Sequence, residues 1–165
     1  MAQTSYLKNP VLGIAGGIAD SGSLGHIESK ASEEAAAFPF GVAVVAGTDP
    51  DVQVLLPTAA AKIEGVAVHE HIAPVVDANG ALVQPDKMLG VMNVGRIFVL
   101  VEDAVTPASS VFVRIATGAG GSQKGAFRSD ADTATALAAS GMRFVSSAAA
   151  GGIAILEIDA DAAIA

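Results

Sequence analysis

The stretch from Phe38 to Ile72, FPFGVAVVAGTDPDVQVLLPTAAAKIEGVAVHEHI, holds short β-branched runs separated by turn residues. Val42, Val44 and Val45 make the first run, and Gly47-Thr48-Asp49-Pro50-Asp51 break it. Glycine permits positive φ there, while proline fixes φ and removes a donor. Val52, Val54 and Leu56 resume with period two until Pro57 ends the run. After a short alanine segment, Val66, Val68 and Ile72 share one face, with Ala67, His69 and His71 on the other. This pattern predicts a small antiparallel unit.

The rest of the chain continues in strand-length pieces. Asp77-Ala78-Asn79-Gly80 is a turn signal, and Ala81–Lys87 reads as a short strand followed by a loop. Ile97-Phe98-Val99-Leu100-Val101 is apolar on both faces, which predicts a strand buried on both sides, in a sandwich or at a subunit contact. Val111, Val113 and Ile115 alternate with Phe112 and Arg114. Strands are expected near 41–46, 52–56, 64–72, 95–102, 111–116, 142–147 and 153–158. Such spacing without long helices argues for an all-β sandwich or barrel. Two helical pieces fit the capping rules: one turn at Ser32-Glu33-Glu34-Ala35-Ala36, and a short helix at 130–139 opened by Ser129-Asp130-Ala131-Asp132.

Residues 1–37 differ in character. Gly13, Gly16, Gly17, Gly22 and Gly25 stand among small polar residues, and no period emerges. They predict an extended or irregular N-terminal arm, with the β-domain occupying 38–165. The arm's larger apolar residues, Tyr6, Leu7, Val11, Leu12, Ile14 and Ile18, are candidate anchors on another protein surface.

Composition sharpens this picture. A chain of 165 residues makes one domain, burying about 70% of its unfolded surface. It is 52% hydrophobic with no Trp, one Tyr and six Phe, so its core is built from Val, Ile, Leu and Ala. Mean hydropathy is +0.53, yet no apolar run reaches the roughly 18 residues of a membrane span. The surplus apolar surface calls for protein partners. Net charge is −8 and the nine bases are scattered, which argues against nucleic-acid binding. There is no cysteine for a disulfide or thiolate site. One Lys ahead of Val11–Ala19, a segment between Pro10 and Asp20, makes a poor signal peptide.

Candidate chemistry is sparse. His69-Glu70-His71 puts two imidazoles on one strand face and is similar to the cupin HxH, which supports an alternative reading as a cupin-like metal-dependent enzyme. The Glu that pattern expects a few residues later is missing from Ile72-Ala73-Pro74-Val75-Val76, and His26 lies in the arm. Gly120 and Gly125 have the Walker interval, but Ala126 and Phe127 stand where Lys and Ser/Thr are needed. No serine sits in a GxSxG elbow, and the carboxylates read as solvated groups at turns and strand ends. No catalytic, cofactor-binding or metal residues are assigned.

The order of the pieces resembles the structural cement (decoration) proteins of tailed-phage heads. The resemblance runs through Gly16-Gly17-Ile18-Ala19-Asp20, Ala37-Phe38-Pro39-Phe40-Gly41-Val42, Val54-Leu55-Leu56-Pro57 and Gly65-Val66-Ala67-Val68-His69. It continues in Gly95-Arg96-Ile97-Phe98-Val99, Val111-Phe112-Val113-Arg114 and Ala150-Gly151-Gly152-Ile153-Ala154-Ile155-Leu156. It implies a β-sandwich or jelly-roll-like domain on the outside of the capsid, made in the host bacterial cytoplasm, with no catalytic residues. The implied partners are the major capsid protein and sister subunits in a dimer or trimer, with no nucleic acid and no membrane. Another β-rich virion protein, such as a fibre, remains an alternative, though fibres usually show internal repeats and this chain has none.

Overall fold

The computed structural model describes residues 13–20, 25–69, 75–77 and 80–165. Among them there is no helix. The strands are β1 (Ile18–Asp20), β2 (His26–Ser32), β3 (Phe38–Pro39), β4 (Ala43–Ala46), β5 (Gln53–Leu55), β6 (Ala61–Val68) and β7 (Val75–Asp77). They continue with β8 (Gly80–Val83), β9 (Met88–Leu100), β10 (Phe112–Arg114), β11 (Phe127–Arg128), β12 (Ala136–Phe144) and β13 (Ile153–Ile164). The all-β expectation holds, and the fold is of the sandwich type.

β9 runs through the whole body. Its first part pairs with β2 and β6, and its second with β13 and, at Arg96 and Ile97, with β1. Gly95, at φ 135°, marks the change of partners, a conformation in which a side chain would be strained. The ladder returns on itself in both halves. One ring follows β9, β2, β5, β4 and β6 back to β9, with β2–β5 its one parallel pairing. The other follows β9, β13, β12, β10 and β11 to a bridge between Val101 and Phe127. Closing the rings leaves few unpaired edges.

Two cores result. The larger takes Ile97, Val99 and Val101 from β9 and the residue after it, with Leu156, Phe127 and Phe144 among the side chains around them. The smaller gathers Leu89, Val91, Val44 and Val54 under Phe38 and Val83, which the β3–β8–β7 sheet lays across it. Strand β6 serves both: Val66 and Val68 enter the first core and Ala67 the second. The expected β5–β4–β6 antiparallel unit is present.

Several expectations are corrected. His26–Ser32 lies in the span expected to be an extended or irregular arm rather than a packed element, yet it is a sheet strand with Lys30 and Ser32 buried. The Lys30 ammonium donates to the carbonyls of Pro50 (3.0 Å) and Asp51 (2.9 Å), fastening β2 to the turn before β5. Residues 32–36 make no helical turn: β2 ends at Ser32, and bends follow. The expected helix at 130–139 is a turn followed by β12. Asp132, Thr133 and Ala134 take φ of 39°, 58° and 69°, a left-handed path that a helix forbids. The turn signal at 77–80 closes β7 onto β8 by pairing Asp77 with Gly80, while Ala78 and Asn79 lie outside the described residues.

The glycines of the N-terminal stretch have a defined task. The Gly16 amide donates to the Phe98 carbonyl (2.7 Å) and the His69 amide to the Gly16 carbonyl (2.8 Å), tying this segment to β9 and to the end of β6. Gly16 and Gly41 hold φ of 81° and 77° against each other, and a Cβ on Gly41 would stand 2.6 Å from the Gly16 nitrogen. Gly41→Ala should therefore cost more than about 1 kcal/mol of stability, read as a lower urea midpoint. An unchanged midpoint would show that the contact relaxes freely.

Candidate functional site

The strongest electrostatic feature is a cluster at the end of the second ring. Arg114, on β10, is fully buried. Its Nε donates to both oxygens of Glu102 (2.8 Å each), Nη2 to Asp132 Oδ2 (2.8 Å), and Nη1 to Thr135 Oγ1 (3.0 Å) and the Ala116 carbonyl (3.1 Å). Arg128, on β11, adds Nη1 to Glu102 (3.1 Å) and Nη2 to Asp130 (2.7 Å). The Gly120 amide donates to Asp132 Oδ2 (2.9 Å). Asp132 is thus drawn inward, and these charge-assisted bonds offset the strain of the left-handed turn. The cluster binds the 118–121 loop and the 130–135 turn to the sheet. It is a clasp, with every guanidinium answered by a carboxylate.

This clasp predicts acid sensitivity. The Arg114 guanidinium, then the Gly120 amide, hold the Asp132 carboxyl at about 2, below its ordinary 3.8. Asp130 is lowered too, by the Asp132 amide and then Arg128. A depressed carboxyl contributes stability that is complete above its unfolded value and drains as pH falls through the folded one. The melting temperature should thus fall between about pH 4 and pH 2, and Asp132→Asn should flatten that fall. A wild-type melting temperature constant from about pH 5 to about pH 2 would count against the clasp.

A second polar feature lies where β9 changes partners. A cleft of about 580 Å³ is lined by Asp20, Arg96, Arg143, Glu157 and Asp159 with Gly95, Gly141 and neighbouring apolar atoms. Glu157 Oε2 accepts from Arg96 Nε (2.7 Å) and Oε1 from Arg143 Nε (2.7 Å), and Arg96 Nη1 stands 3.9 Å from Asp20. Arg143, then Arg96, lower the Glu157 carboxyl from its ordinary value. Register irregularities in β1–β9 and β12–β13 border the cleft, opening the sheet there.

Beside the cleft, the outward face of β9 and β13 is apolar. Leu100 stands opposite Ile153, Phe98 opposite Ile155, and Arg96 opposite Glu157. Leu100 is 51% exposed, and Phe98, Ile153 and Ile155 are half-buried. Of the two faces of Ile97–Val101 expected to be buried, in a sandwich or at a subunit contact, the single chain covers one fully and the other in part. Ile97, Val99 and Val101 fill the core, while the alternate positions face outward.

Comparison with known proteins decides what kind of molecule carries these features. The sequence matches the structural cement protein family (E217 gp24/Pam3 gp6) over residues 2–159. The chain belongs to this family. A solved structure titled "The capsid of Myoviridae Phage XM1" contains a chain of the same fold, with TM-score 0.70 and 16% identity, covering 97% of this chain and 98% of that one. No curated protein matches. This cement protein is accordingly a structural component of the phage virion, associated with the capsid.

The residues singled out in the sequence fall in different places in the cement protein. Ile14 and Ile18 are 52% and 46% exposed, and it is Gly13 and Gly17 that lie against the Phe98 ring. Tyr6, Leu7, Val11 and Leu12 lie outside the described residues. The His69 ring tilts onto Phe40 at 5.0 Å, while Glu70 and His71 lie outside the described residues. His26 bonds Asn93 (2.9 Å) on the far part of β9. Among the described residues no group of His, Cys, Asp or Glu is placed to hold a metal. Glu102 and Asp132, expected to be solvated, are instead nearly buried against Arg114. The one sequence cue is an arginine inside an apolar strand.

Proposed function

We infer that this cement protein is non-enzymatic, binds the outer surface of the major capsid protein lattice, and clamps neighbouring subunits as a dimer or trimer. The family match across residues 2–159 carries this reading. Exposed apolar side chains such as Leu100, Ile14 and Ile18 support it, because an external clamp works through contact area. Each specific interface needs on the order of 1,000 Å², and joining several through one oligomer raises avidity about 10²–10⁴-fold.

Stripping the protein from purified heads and adding it back tests this directly. Stripped heads should break at lower temperature, and re-addition should restore resistance. Heads equally resistant with and without it would sink the clamp. The arm belongs to the same proposal, with Tyr6, Leu7, Val11, Leu12, Ile14 and Ile18 as its anchors. Because β2 is built into the sheet, the useful truncation stops before Gly13. Deleting residues 2–12 should leave a folded protein that holds heads less tightly, and retention equal to the full chain would remove the arm from the clamp.

A further inference from the structure

We propose that the 117–122 loop is a lid closed over the Arg114 cluster, that Asp132 is its latch, and that the lid opens by itself while the sheets stay folded. Three glycines lay the loop on the charges. A Cβ on Gly118 would run into Asp132 Oδ2 and Thr135 Oγ1, and one on Gly121 into Glu102 Oε1. One on Gly120 would stand 2.5 Å from Arg128 Nη1. Each glycine thus sets bare backbone against a different part of the cluster. None of the three holds a positive φ, so glycine is needed here for close approach and not for the turn. On an open surface a charged side-chain tip swings aside easily for a methyl group. Glu102, Arg128 and Asp132 are nearly buried and locked in the ion pairs already described, so a methyl group enters only by parting a pair.

The lid fits closely but is lightly moored. Gly118 and Gly121 bond each other across a two-residue turn (2.9 and 3.4 Å). Among the described residues, the hydrogen bond that joins 117–122 to the rest of the protein is the Gly120 amide on Asp132 Oδ2 (2.9 Å). Thr-Gly-Ala-Gly-Gly-Ser carries no large apolar side chain, so opening takes nothing out of the core. The strands on either side hold without it: the Arg114 amide donates to the Ala126 carbonyl (2.9 Å) and the Gly125 amide to the Arg114 carbonyl (2.8 Å). A segment with few buried apolar contacts belongs to the low end of local stability. Once it lifts, water reaches the cluster and the ion pairs weaken toward surface values.

The latch is titratable. Asp132 faces the Arg114 and Arg128 guanidiniums, the Gly120 amide and the Thr135 hydroxyl, with Glu102 across Arg114 and Asp130 beside it. Protonating Asp132 removes the charge from the Gly120 bond and from one Arg114 pair together. Its carboxyl sits at about 2 with the lid closed, against an ordinary 3.8. The closed lid is therefore favoured in full above about pH 4, and that advantage drains as pH falls toward about 2.

Amide hydrogen exchange on the full-length protein, read as protection relative to an unfolded chain, tests this. Near neutral pH the Gly118 and Gly120 amides should be protected, but less than the β9 amides that pair with β13. Low urea should leave lid exchange unchanged while it speeds that of β9, because lid opening exposes little surface. Lid protection should fall roughly five- to tenfold between about pH 6 and about pH 3, and Asp132→Asn should abolish that fall. Gly121→Ala should lower lid protection at least about tenfold. Gly25→Ala, where a Cβ meets only the Val94 carbonyl at 3.8 Å, should leave it unchanged. Lid amides unprotected near neutral pH would show that the lid is not closed. Protection equal to that of β9 with the same urea dependence would show that the loop opens only with the whole fold. A fall in acid that survives in Asp132→Asn, or none in the wild type, would remove the latch. Unchanged protection in Gly121→Ala would show that close approach does not shut the lid. Any one of these overturns the proposal, and the wild-type series decides it even if Gly121→Ala fails to fold.

Discussion

Replacing Arg114 with methionine should destabilise the protein by about 3–5 kcal/mol, the cost of breaking a buried ion pair by removing one partner. Methionine fills much of the volume, so the loss is electrostatic. Glu102 and Asp132 would share a single guanidinium, Arg128, at 3.1 and 3.4 Å, between two nearly buried carboxylates. The strained turn at Asp132–Ala134 would lose its shortest anchor to the sheet, the Arg114 bond to Asp132, and the 118–121 loop, held to the same carboxylate by the Gly120 amide, would loosen with it. Arg114→Lys should recover only part of the loss, since one ammonium cannot reproduce a fork that reaches Glu102, Asp132 and Thr135 together. Neutralising the carboxylates along with Arg114 should cost less than the single change, because no unpaired charge is then left behind. Against the total of roughly 5–15 kcal/mol for a domain, the single change is large enough to read in any denaturant titration. A shift below about 1 kcal/mol would mean that water reaches the cluster and the clasp is ornamental.

What the sequence discloses depends on whether an element announces itself locally. β4, β5, β6 and β10 are legible because β-branched residues alternate there and Gly, Pro or Asp stops them. β2 is not. His26–Ser32 reads HIESKAS, with its one large apolar residue, Ile27, 42% exposed, and it is a strand because β9 and β5 flank it. Ala136–Phe144 resembles a helix over its first residues because alanine favours helices locally. Pairing with β10 and β13 overrides that preference. The clasp is out of reach for another reason. Glu102, Arg114, Arg128 and Asp132 come from separate stretches, and only the closed ring brings them together. The apolar outward strip, by contrast, is half visible in Ile97–Val101. A run apolar at every position allows a doubly buried strand or a contact surface, and the two differ in what covers the second face.

Substitution within that run separates its two faces. Val99→Asp should destabilise by about 4 kcal/mol or more, because a carboxylate would enter the larger core with no donor among Ile97, Val101 and Leu156. Val99 is fully buried opposite Ala154, itself buried, so the side chain has no route to water. Leu100→Asp, one residue on, should cost only about 1 kcal/mol, chiefly from lost strand propensity. The period of two makes this contrast sharp: adjacent residues on one strand differ by one kind of surrounding alone. Urea midpoints of the two variants, measured side by side in the free protein, check it. Equal and severe losses would show that Leu100 too is covered in solution, by a sister copy or the chain's own N-terminal segment. Equal and small losses would mean that β9 does not line the core at all. A large loss at Val99 with a small one at Leu100 would show that the outward face is open to water in the free protein, as its 51% exposure at Leu100 describes.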